Sequence, residues 1–323
     1  MSTFRRKAAA AVLATLTLTA AGVTGCSSES SDSAHKLTVG FVVDPSWSHI
    51  PVAQQAGYFK EHGLDVEVVN FSTGVEALQA LTAGQLDVAT AAAVPTSAAI
   101  AKSPSLRVVA DGSRWNGSRI VARKDAGIAS LDDLNGRKIG TPLGTSANYF
   151  ASTVLTHTGA DAELVQVAPS AMVTAATQGD VDAVSIFQPY QTQVIAALGD
   201  NAVILEDTSP DVFVDHCLYL STEAVTNDKA ADLSSFFAAL ADASKDIATQ
   251  SNDSVAAVSE ATKLNPELTA NVLKEYDFTL QLNPALADSL TALGEWAKQN
   301  GKIDANVTLP DYSQFLADKF VNQ

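Results

Sequence analysis

The segment from Lys138 to Leu155 contains the residues whose types and spacing best suit ligand binding. Its sequence, KIGTPLGTSANYFASTVL, has a short apolar start, a turn rich in Gly and Pro, and then apolar residues at helical spacing. This order predicts a strand, a loop and a helix N-terminus. Backbone N–H groups at a helix N-terminus lack intrahelical partners and carry partial positive charge, so they can hold a small anion without Lys or Arg. The hydroxyls of Thr145 and Ser146 would add two donors.

A simpler interpretation is that Thr145 or Ser146 is the N-cap of an ordinary helix, since caps are common. The loop is not a Walker phosphate loop because no Lys follows its glycine. The five histidines show no metal-ligand spacing, and none stands in order with a nucleophile and an acid. There is no dinucleotide fingerprint. We therefore predict a protein that is not an enzyme and that uses no cofactor and no metal.

The N-terminus has the layout of a secretory signal. Three basic residues at 5–7 precede an apolar run that ends in small residues before Cys26. A Cys at this place resembles the bacterial lipobox, in which the Cys is lipidated and becomes the first mature residue. We predict a signal peptide over residues 1–25 and a lipidated Cys26 with a flexible tether over 26–36, which anchor the exported protein to the outer face of the cytoplasmic membrane. A plain signal peptide with a chance Cys is the alternative, and either the Sec or the twin-arginine route remains open.

The mature chain is strongly acidic. Removing the signal, which holds three basic residues and no acid, takes the formal net charge from -16 to -19. A chain with this charge will not bind nucleic acid through bulk electrostatics. Cys26 cannot form a structural disulfide if it carries lipid, so Cys217, in an apolar run, is predicted to be a buried small hydrophobe.

The residues after Lys36 repeat one plan of strand, loop and helix. Gly84 ends a helix and Asp87 follows it; Gly179 and Asp182 stand in the same relation 95 residues later. We predict that the two Asp residues are structural turn residues. About 290 residues exceed what one hydrophobic core usually holds, so the repeat indicates two lobes.

Each lobe should have a mainly parallel α/β sheet with helices on both faces, because short apolar strands alternate with helices. Leu64–Phe71 and Ala202–Leu205 are typical strands. Two extended segments, 118–123 and 216–221, are predicted to cross between the lobes. Ligands bind outside the carboxyl ends of the strands in such sheets, which places a cleft between the lobes. The predicted bounds are 37–118 and 221–323 for lobe I, and 119–220 for lobe II.

Four segments resemble the nitrate, sulfonate, taurine and thiamine-precursor family of ABC-transporter solute-binding proteins. They are AGYFKEHGLDV at 56–66, GQLD at 84–87, LDDLNGRKIG at 131–140 and GTS at 144–146. The resemblance implies a type II periplasmic-binding-protein fold, with two α/β lobes that are joined by two crossing strands and close over a small ligand. It also implies a membrane permease and its ATPase as partners.

Loops at the strand ends supply the candidate ligand-binding residues. The indole of Trp47 could form an apolar wall and donate one N–H, and a core position for it is equally compatible with the sequence. Asp215 precedes the second crossing segment and could bind an ammonium such as that of taurine, although a solvated loop carboxylate is the commoner case. The predicted ligand-binding set is Ser46, Trp47, Ser72, Thr73, Gly74, Trp115, Asn116, Thr145, Ser146 and Gln188.

These features predict an extracytoplasmic, monomeric substrate-binding protein of an ABC importer. Its solute would be small and anionic or heteroaromatic, of the aliphatic sulfonate, taurine or nitrate type. One alternative is a thiamine-pyrimidine precursor, which Trp47, Trp115 and Tyr149 would suit. The other is a sensor or adhesion lipoprotein built on the same lobes.

Overall fold

The computed structural model describes residues 35–207 and 213–321. The predicted signal peptide, Cys26 and the tether up to Ala34 lie outside the described residues. The strands are β1 His35–Val42, β2 Leu64–Phe71, β3 Val88–Ala92, β4 Leu106–Trp115, β5 Ile120–Arg123, β6 Lys138–Thr141, β7 Glu163–Gln166, β8 Ala183–Ser185, β9 Ala202–Leu205, β10 Asp215–Thr222 and β11 Tyr276–Asp277.

The helices alternate with the strands up to β9, and most of those after β10 follow one another directly. They are α1 His49–Ala56, α2 Tyr58–Glu61, α3 Gly74–Thr82, α4 Ala93–Ile100, α5 Ser146–Thr158, α6 Met172–Gln178, α7 Tyr190–Leu198, α8 Glu223–Asp228, α9 Ala230–Ala248, α10 Asn252–Thr262, α11 Pro266–Leu273 and α12 Leu286–Gln299. Among the residues that the structure describes, no helix is both long and apolar enough to span a bilayer.

The first sheet has six strands in the order β11-β4-β10-β3-β1-β2. β1 runs parallel to β2 and β3, while β10 lies antiparallel between β3 and β4. The C-terminal helices pack beside this sheet; in α9, the ring of Phe236 stacks on Phe59 of α2 with the ring centroids 5.5 Å apart. Both rings are almost fully buried, so this packing extends the core of the first lobe.

The second sheet has five strands in the order β7-β6-β8-β5-β9. Successive residues of β5 belong to different hydrophobic clusters: Ile120 and Ala122 pack with Phe150 of α5, and Val121 packs with Met172 of α6. Alternate strand residues point to opposite faces of a sheet, so this sheet has helices and a core on both sides.

Both sheets are mixed, which corrects the prediction of mainly parallel sheets. β10 pairs antiparallel with β3 and β4, and β5 pairs antiparallel with β8 and β9. The reason lies in the crossings, because a strand that enters a sheet from the other lobe need not follow the strand–helix–strand path that enforces parallel pairing.

The internal repeat has a structural basis at Asp87 and Asp182. The carboxylate of Asp87 accepts a hydrogen bond from the backbone N–H of Thr38 at 2.9 Å, and that of Asp182 accepts one from Lys138 at 2.9 Å. In each case the Asp backbone N–H donates in return to the carbonyl of the same partner. The prediction that both are structural turn residues is confirmed, since each ties the turn before one strand to the backbone of the neighbouring strand, β1 for Asp87 and β6 for Asp182.

The chain passes between the two sheets twice, between Trp115 and Ile120 and again between Leu205 and Asp215. Of the segments expected to cross, 118–123 comprises the end of the first crossing and β5 of the second sheet, whereas 216–221 lies wholly within β10 of the first sheet. The return to the first sheet therefore comes before Asp215, rather than at the expected residue 221. The bounds of the lobes themselves remain a prediction.

Candidate functional site

A narrow cavity lies where the loops at the strand ends of the two sheets meet. Six of the predicted binding residues line it together: Ser46, Trp47, Gly74, Trp115, Thr145 and Ser146. Seven further residues of the lining were not in the predicted set, and Asp44, Phe187, Asp215 and Cys217 are among them. The cavity volume is about 20 Å³, against roughly 300–1,000 Å³ for ordinary ligand pockets. A solute can therefore enter only if the loops on the two sides move apart.

Larger grooves open elsewhere on the surface. One of about 720 Å³ lies beside the segment from Tyr276 to Leu280 and helix α9. Its lining contains no residue from the loops that follow the parallel strands, where ligands bind in open α/β sheets. We therefore place the candidate site in the small cavity, which collects buried polar side chains from both sheets.

Asp44 and Ser46 form the turn after β1. Asp44 caps a short 3-10 turn over Pro45–Trp47, and its Oδ1 accepts hydrogen bonds from the backbone N–H of Ser46 at 2.7 Å and from its hydroxyl at 2.6 Å. The hydroxyl of Tyr276 donates to the same oxygen at 3.4 Å. The backbone carbonyl of Ser46 accepts a hydrogen bond from Ser113 of β4 at 2.7 Å, which fixes the turn on the sheet.

Trp47 is both a wall of the cavity and a core residue. Its side chain is 3% exposed, and its indole N–H donates to the carbonyl of Leu218 in β10 at 3.1 Å. The predicted indole donor is thus used within the protein, which leaves the ring as an apolar wall. Beside it, Gly74 begins α3 against β3, where a Cβ atom would lie 2.9 Å from the Cα of Ala91. Glycine is required there because the helix start packs directly on the strand.

Trp115 and Asp215 lie side by side at the two crossings, because they pair where β4 ends and β10 begins. The indole N–H of Trp115 donates to Glu275 at 3.0 Å, and its ring stacks on Tyr276. Asp215 is only 3% exposed, which corrects the interpretation of a solvated loop carboxylate.

Arg119 joins the two sheets close to these residues. Its guanidinium forms ion pairs with Glu206, which follows β9, at 2.9 Å, and with Glu275, which precedes β11, at 3.2 Å. The two carboxylates belong to segments next to the second and the first sheet, respectively. One side chain thus links both sides of the crossing.

Thr145 and Ser146 begin α5 on the side of the second sheet. The hydroxyl of Thr145 donates to the carbonyl of Pro142 at 2.7 Å, so its proton does not serve as the extra anion donor that the sequence suggested. The hydroxyl of Ser146 lies close enough to Asp215 to lower the pKa of that carboxyl. Ser146 thus brings the start of α5, beside the second sheet, next to an acidic residue of the first.

Burial raises the pKa of both carboxyls of the cavity from 3.8 to about 7. For Asp44, hydrogen bonds from Ser46 and Tyr276 oppose this rise in part. For Asp215, the nearby hydroxyl of Ser146 opposes the rise, while the charge of Asp44 adds to it. Both carboxyls therefore hold a proton for part of the time near neutral pH, chiefly because burial disfavours the charged form.

The sequence of the chain matches the model of a known protein family. The family model described as NMT1/THI5 like matches residues 44–253, more than half of the chain. The chain belongs to the NMT1/THI5-like family. The matched range begins at Asp44 and includes all the residues named above as lining the cavity.

The relatives of this NMT1/THI5-like protein include named binding proteins. It is 31% identical over 157 residues to a binding protein of Brucella abortus, covering 47% of this chain and 48% of that protein. It is 26% identical over 161 residues to the taurine-binding periplasmic protein of Escherichia coli, with 49% of each covered. A thiamine biosynthesis protein of Haemophilus influenzae is 26% identical over 288 residues, 86% of this chain and 90% of that one. The chain spans about half the length of the first two relatives.

Solved structures confirm the periplasmic-binding-protein fold. The aliphatic sulphonate binding protein SsuA of Escherichia coli superposes with a TM-score of 0.75 at 20% identity, covering 89% of this chain and 99% of that one. The desulfurization enzyme DSZB superposes with a TM-score of 0.62 at 15% identity, covering 89% and 97%. At these identities the likeness shows the fold alone, and this fold is found in both a binding protein and an enzyme.

Four predicted residues lie outside the lining of the cavity. Ser72 is exposed, and Thr73 caps α3 by accepting a hydrogen bond from the N–H of Glu76. Asn116 is exposed. Gln188 is buried, and its side-chain oxygen accepts hydrogen bonds from Thr192 at the start of α7. Tyr149, considered as a wall for a pyrimidine, packs instead on Phe213 and Trp296.

The acidic character of the site was only partly predicted, because Asp215 had been considered and Asp44 had not. Asp44 stands in the same strand-end loop as Ser46 and Trp47, so its position alone could have placed it in the candidate set. No local pattern marks Phe187 or Cys217, whose place in the lining depends on how the two sheets meet. Among the described residues, no group of three His, Cys, Asp or Glu side chains could hold a metal ion.

Proposed function

We propose that this chain is an exported solute-binding protein that delivers a small molecule to the permease and ATPase of an ABC importer. The observation that carries the proposal is the cavity between the strand ends of two sheets, lined from both sides and too small to admit a solute unless the sheets separate. Opening and closing about the two crossings would capture and release a ligand. The named binding proteins among its relatives support the same function.

We propose binding without catalysis. Cys217 is the side chain of the lining with a nucleophilic sulfur, and the thiolate rather than the thiol is the nucleophile. Burial and the nearby charges of Asp215 and Asp44 raise the pKa of this thiol well above its usual value. The thiol therefore stays protonated and unreactive, which supports a binding role even though an enzyme shares the fold.

Ligand binding should stabilise the fold. A solute present at about a hundredfold its dissociation constant adds roughly 2.7 kcal/mol to the free energy of unfolding if it binds only the folded state. The measurement is a thermal-shift screen of sulfonates, taurine, nitrate, bicarbonate and pyrimidines against the soluble form that begins after Cys26. If no compound of these classes raises the melting temperature, the result would favour the alternative of a sensor or adhesion lipoprotein.

The lipid anchor proposed at Cys26 predicts an all-or-none change in location. Replacing Cys26 by Ser removes the acceptor for the lipid, and across residues 35–207 and 213–321 no helix is long and apolar enough to span a membrane in its place. We expect the variant to move from the membrane fraction to the soluble fraction after export. Cys217→Ser is the matched control, because it removes the other cysteine and should leave the protein on membranes. A Cys26→Ser variant that still sediments with membranes would contradict lipid anchoring.

A further inference from the structure

Two acidic side chains reach the candidate cavity from neighbouring parts of the first sheet. Asp44 follows β1 and Asp215 begins β10, and both are 3% exposed. Desolvating a carboxylate costs free energy unless a partner compensates it. Their presence at the strand ends, where a ligand would bind, calls for a compensating partner.

One oxygen of Asp215 has no partner within the protein. The hydroxyl of Ser146, at the start of α5, lies close enough to this carboxyl to lower its pKa. Across residues 35–207 and 213–321, however, Oδ1 of Asp215 is fully buried and accepts no hydrogen bond. A buried acceptor left without a donor is rare in folded proteins, and it indicates a donor that arrives from outside.

No basic side chain lines the cavity to neutralise these acids. Two basic side chains of β4 and β10 are paired elsewhere: Arg114 forms ion pairs with Asp111 and Asp277, and His216 contacts Asp111 at 2.8 Å. The rest of the lining is largely apolar, and it includes the rings of Trp47, Trp115 and Phe187. A complementary ligand therefore has a positively charged N–H donor on an apolar or aromatic body.

We propose that the cavity selects solutes through a positively charged nitrogen, a primary ammonium or a protonated amino-heterocycle, which donates hydrogen bonds to Oδ1 of Asp215 and to Asp44. This inference rests on the proposed solute-binding function and specifies its ligand class. A purely anionic solute would place a further negative charge beside two carboxyls. A zwitterion such as taurine fits, because the N-terminus of α5 lies on the same cavity and can accept its sulfonate.

The cation would also displace protons. The raised pKa values mean that each carboxyl holds its proton for part of the time near pH 7. A bound cation favours the ionised forms, so protons leave as it binds and affinity rises with pH between about 5 and 8. The ionisable groups near the two carboxyls are Tyr276, Cys217 and Tyr190 around Asp44, and His216, Asp111 and Cys217 around Asp215.

The test compares matched probes by isothermal titration calorimetry on the soluble form after Cys26. Taurine is paired with isethionate, in which a hydroxyl replaces the ammonium, and 4-amino-2-methylpyrimidine with 2-methylpyrimidin-4-ol; nitrate is the simple anion. We expect one amino probe to bind at least about tenfold more tightly than its partner, as loss of a charged hydrogen bond predicts. For taurine, whose ammonium stays charged throughout, affinity should rise from pH 5 to pH 8. Titrations in two buffers of different ionisation enthalpy should show proton release.

Variants show whether the carboxyls are responsible. Asp215→Asn should abolish the preference for the amino probe, and Asp44→Asn should do the same while its side-chain oxygen still caps the turn. Asp65→Asn, on the exposed face of β2, changes the net charge equally and should keep the preference. Isethionate or nitrate binding as tightly as taurine, unaffected by Asp215→Asn, would overturn the inference and leave the solute-binding function intact. Binding of none of the five probes would count against that function and the inference together.

Discussion

Replacing Asp44 and Asp215 together by Asn is expected to stabilise the protein above pH 7, by an amount that shrinks as the pH falls towards 4. The pKa of each carboxyl is about 7 in the folded protein, against 3.8 for an ordinary Asp, which stands for the unfolded state. Between these values the folded state binds more protons than the unfolded state, so the stability of the wild type falls as the pH rises. One pKa unit corresponds to about 1.4 kcal/mol, so the difference above pH 7 should be on the order of a few kcal/mol.

The measurement is urea unfolding of both proteins at several pH values from 4 to 8. His49 has the opposite effect, because burial lowers its pKa from 6.5 to about 4, which makes stability rise with pH over that interval. His49 is present in both proteins, so its contribution cancels in the difference between their free energies of unfolding. Asp65→Asn, which changes an exposed carboxylate, should follow the wild type. A difference between double variant and wild type that is the same at every pH would show that these carboxyls ionise normally.

Replacing Trp47 by Ala should both destabilise the fold and weaken binding. The side chain is almost fully buried, and removal of a buried Trp typically costs about 3–5 kcal/mol. The change also leaves the carbonyl of Leu218 without its indole donor and removes a wall of the cavity. Trp47→Phe keeps an apolar ring and loses the hydrogen bond, so a smaller loss of about 1–3 kcal/mol is expected.

The control for Trp47 is Phe59→Ala. Phe59 is also buried, stacks on Phe236 and does not line the cavity. It should reduce the free energy of unfolding by about 3–5 kcal/mol and leave the affinity of the folded protein for its solute unchanged. Urea unfolding and calorimetric titration of the three variants separate the two effects. Equal affinities in Trp47→Ala and Phe59→Ala would show that Trp47 is a core residue alone.

The sequence by itself determined the local elements and their repetition. β2 and β9 have the predicted bounds, Leu64–Phe71 and Ala202–Leu205, because their apolar runs are bounded by clear turn signals. The repeat at Asp87 and Asp182 was visible because the same short-range turn recurs with the same spacing. Six of the ten predicted binding residues line one cavity, since a strand end that leads into a helix is a local feature.

Only the tertiary structure decided the direction of the strands and the character of the site. β10 lies between β3 and β4, a pairing over more than a hundred residues that no local pattern encodes. That pairing buries Asp215, sets it beside Trp115 and makes the cavity acidic, whereas the sequence suggested an anion loop at Thr145 and Ser146. The physical reason is that a side chain's burial and its hydrogen-bond partner depend on which strands become neighbours, and for Asp215 those neighbours come from distant parts of the chain.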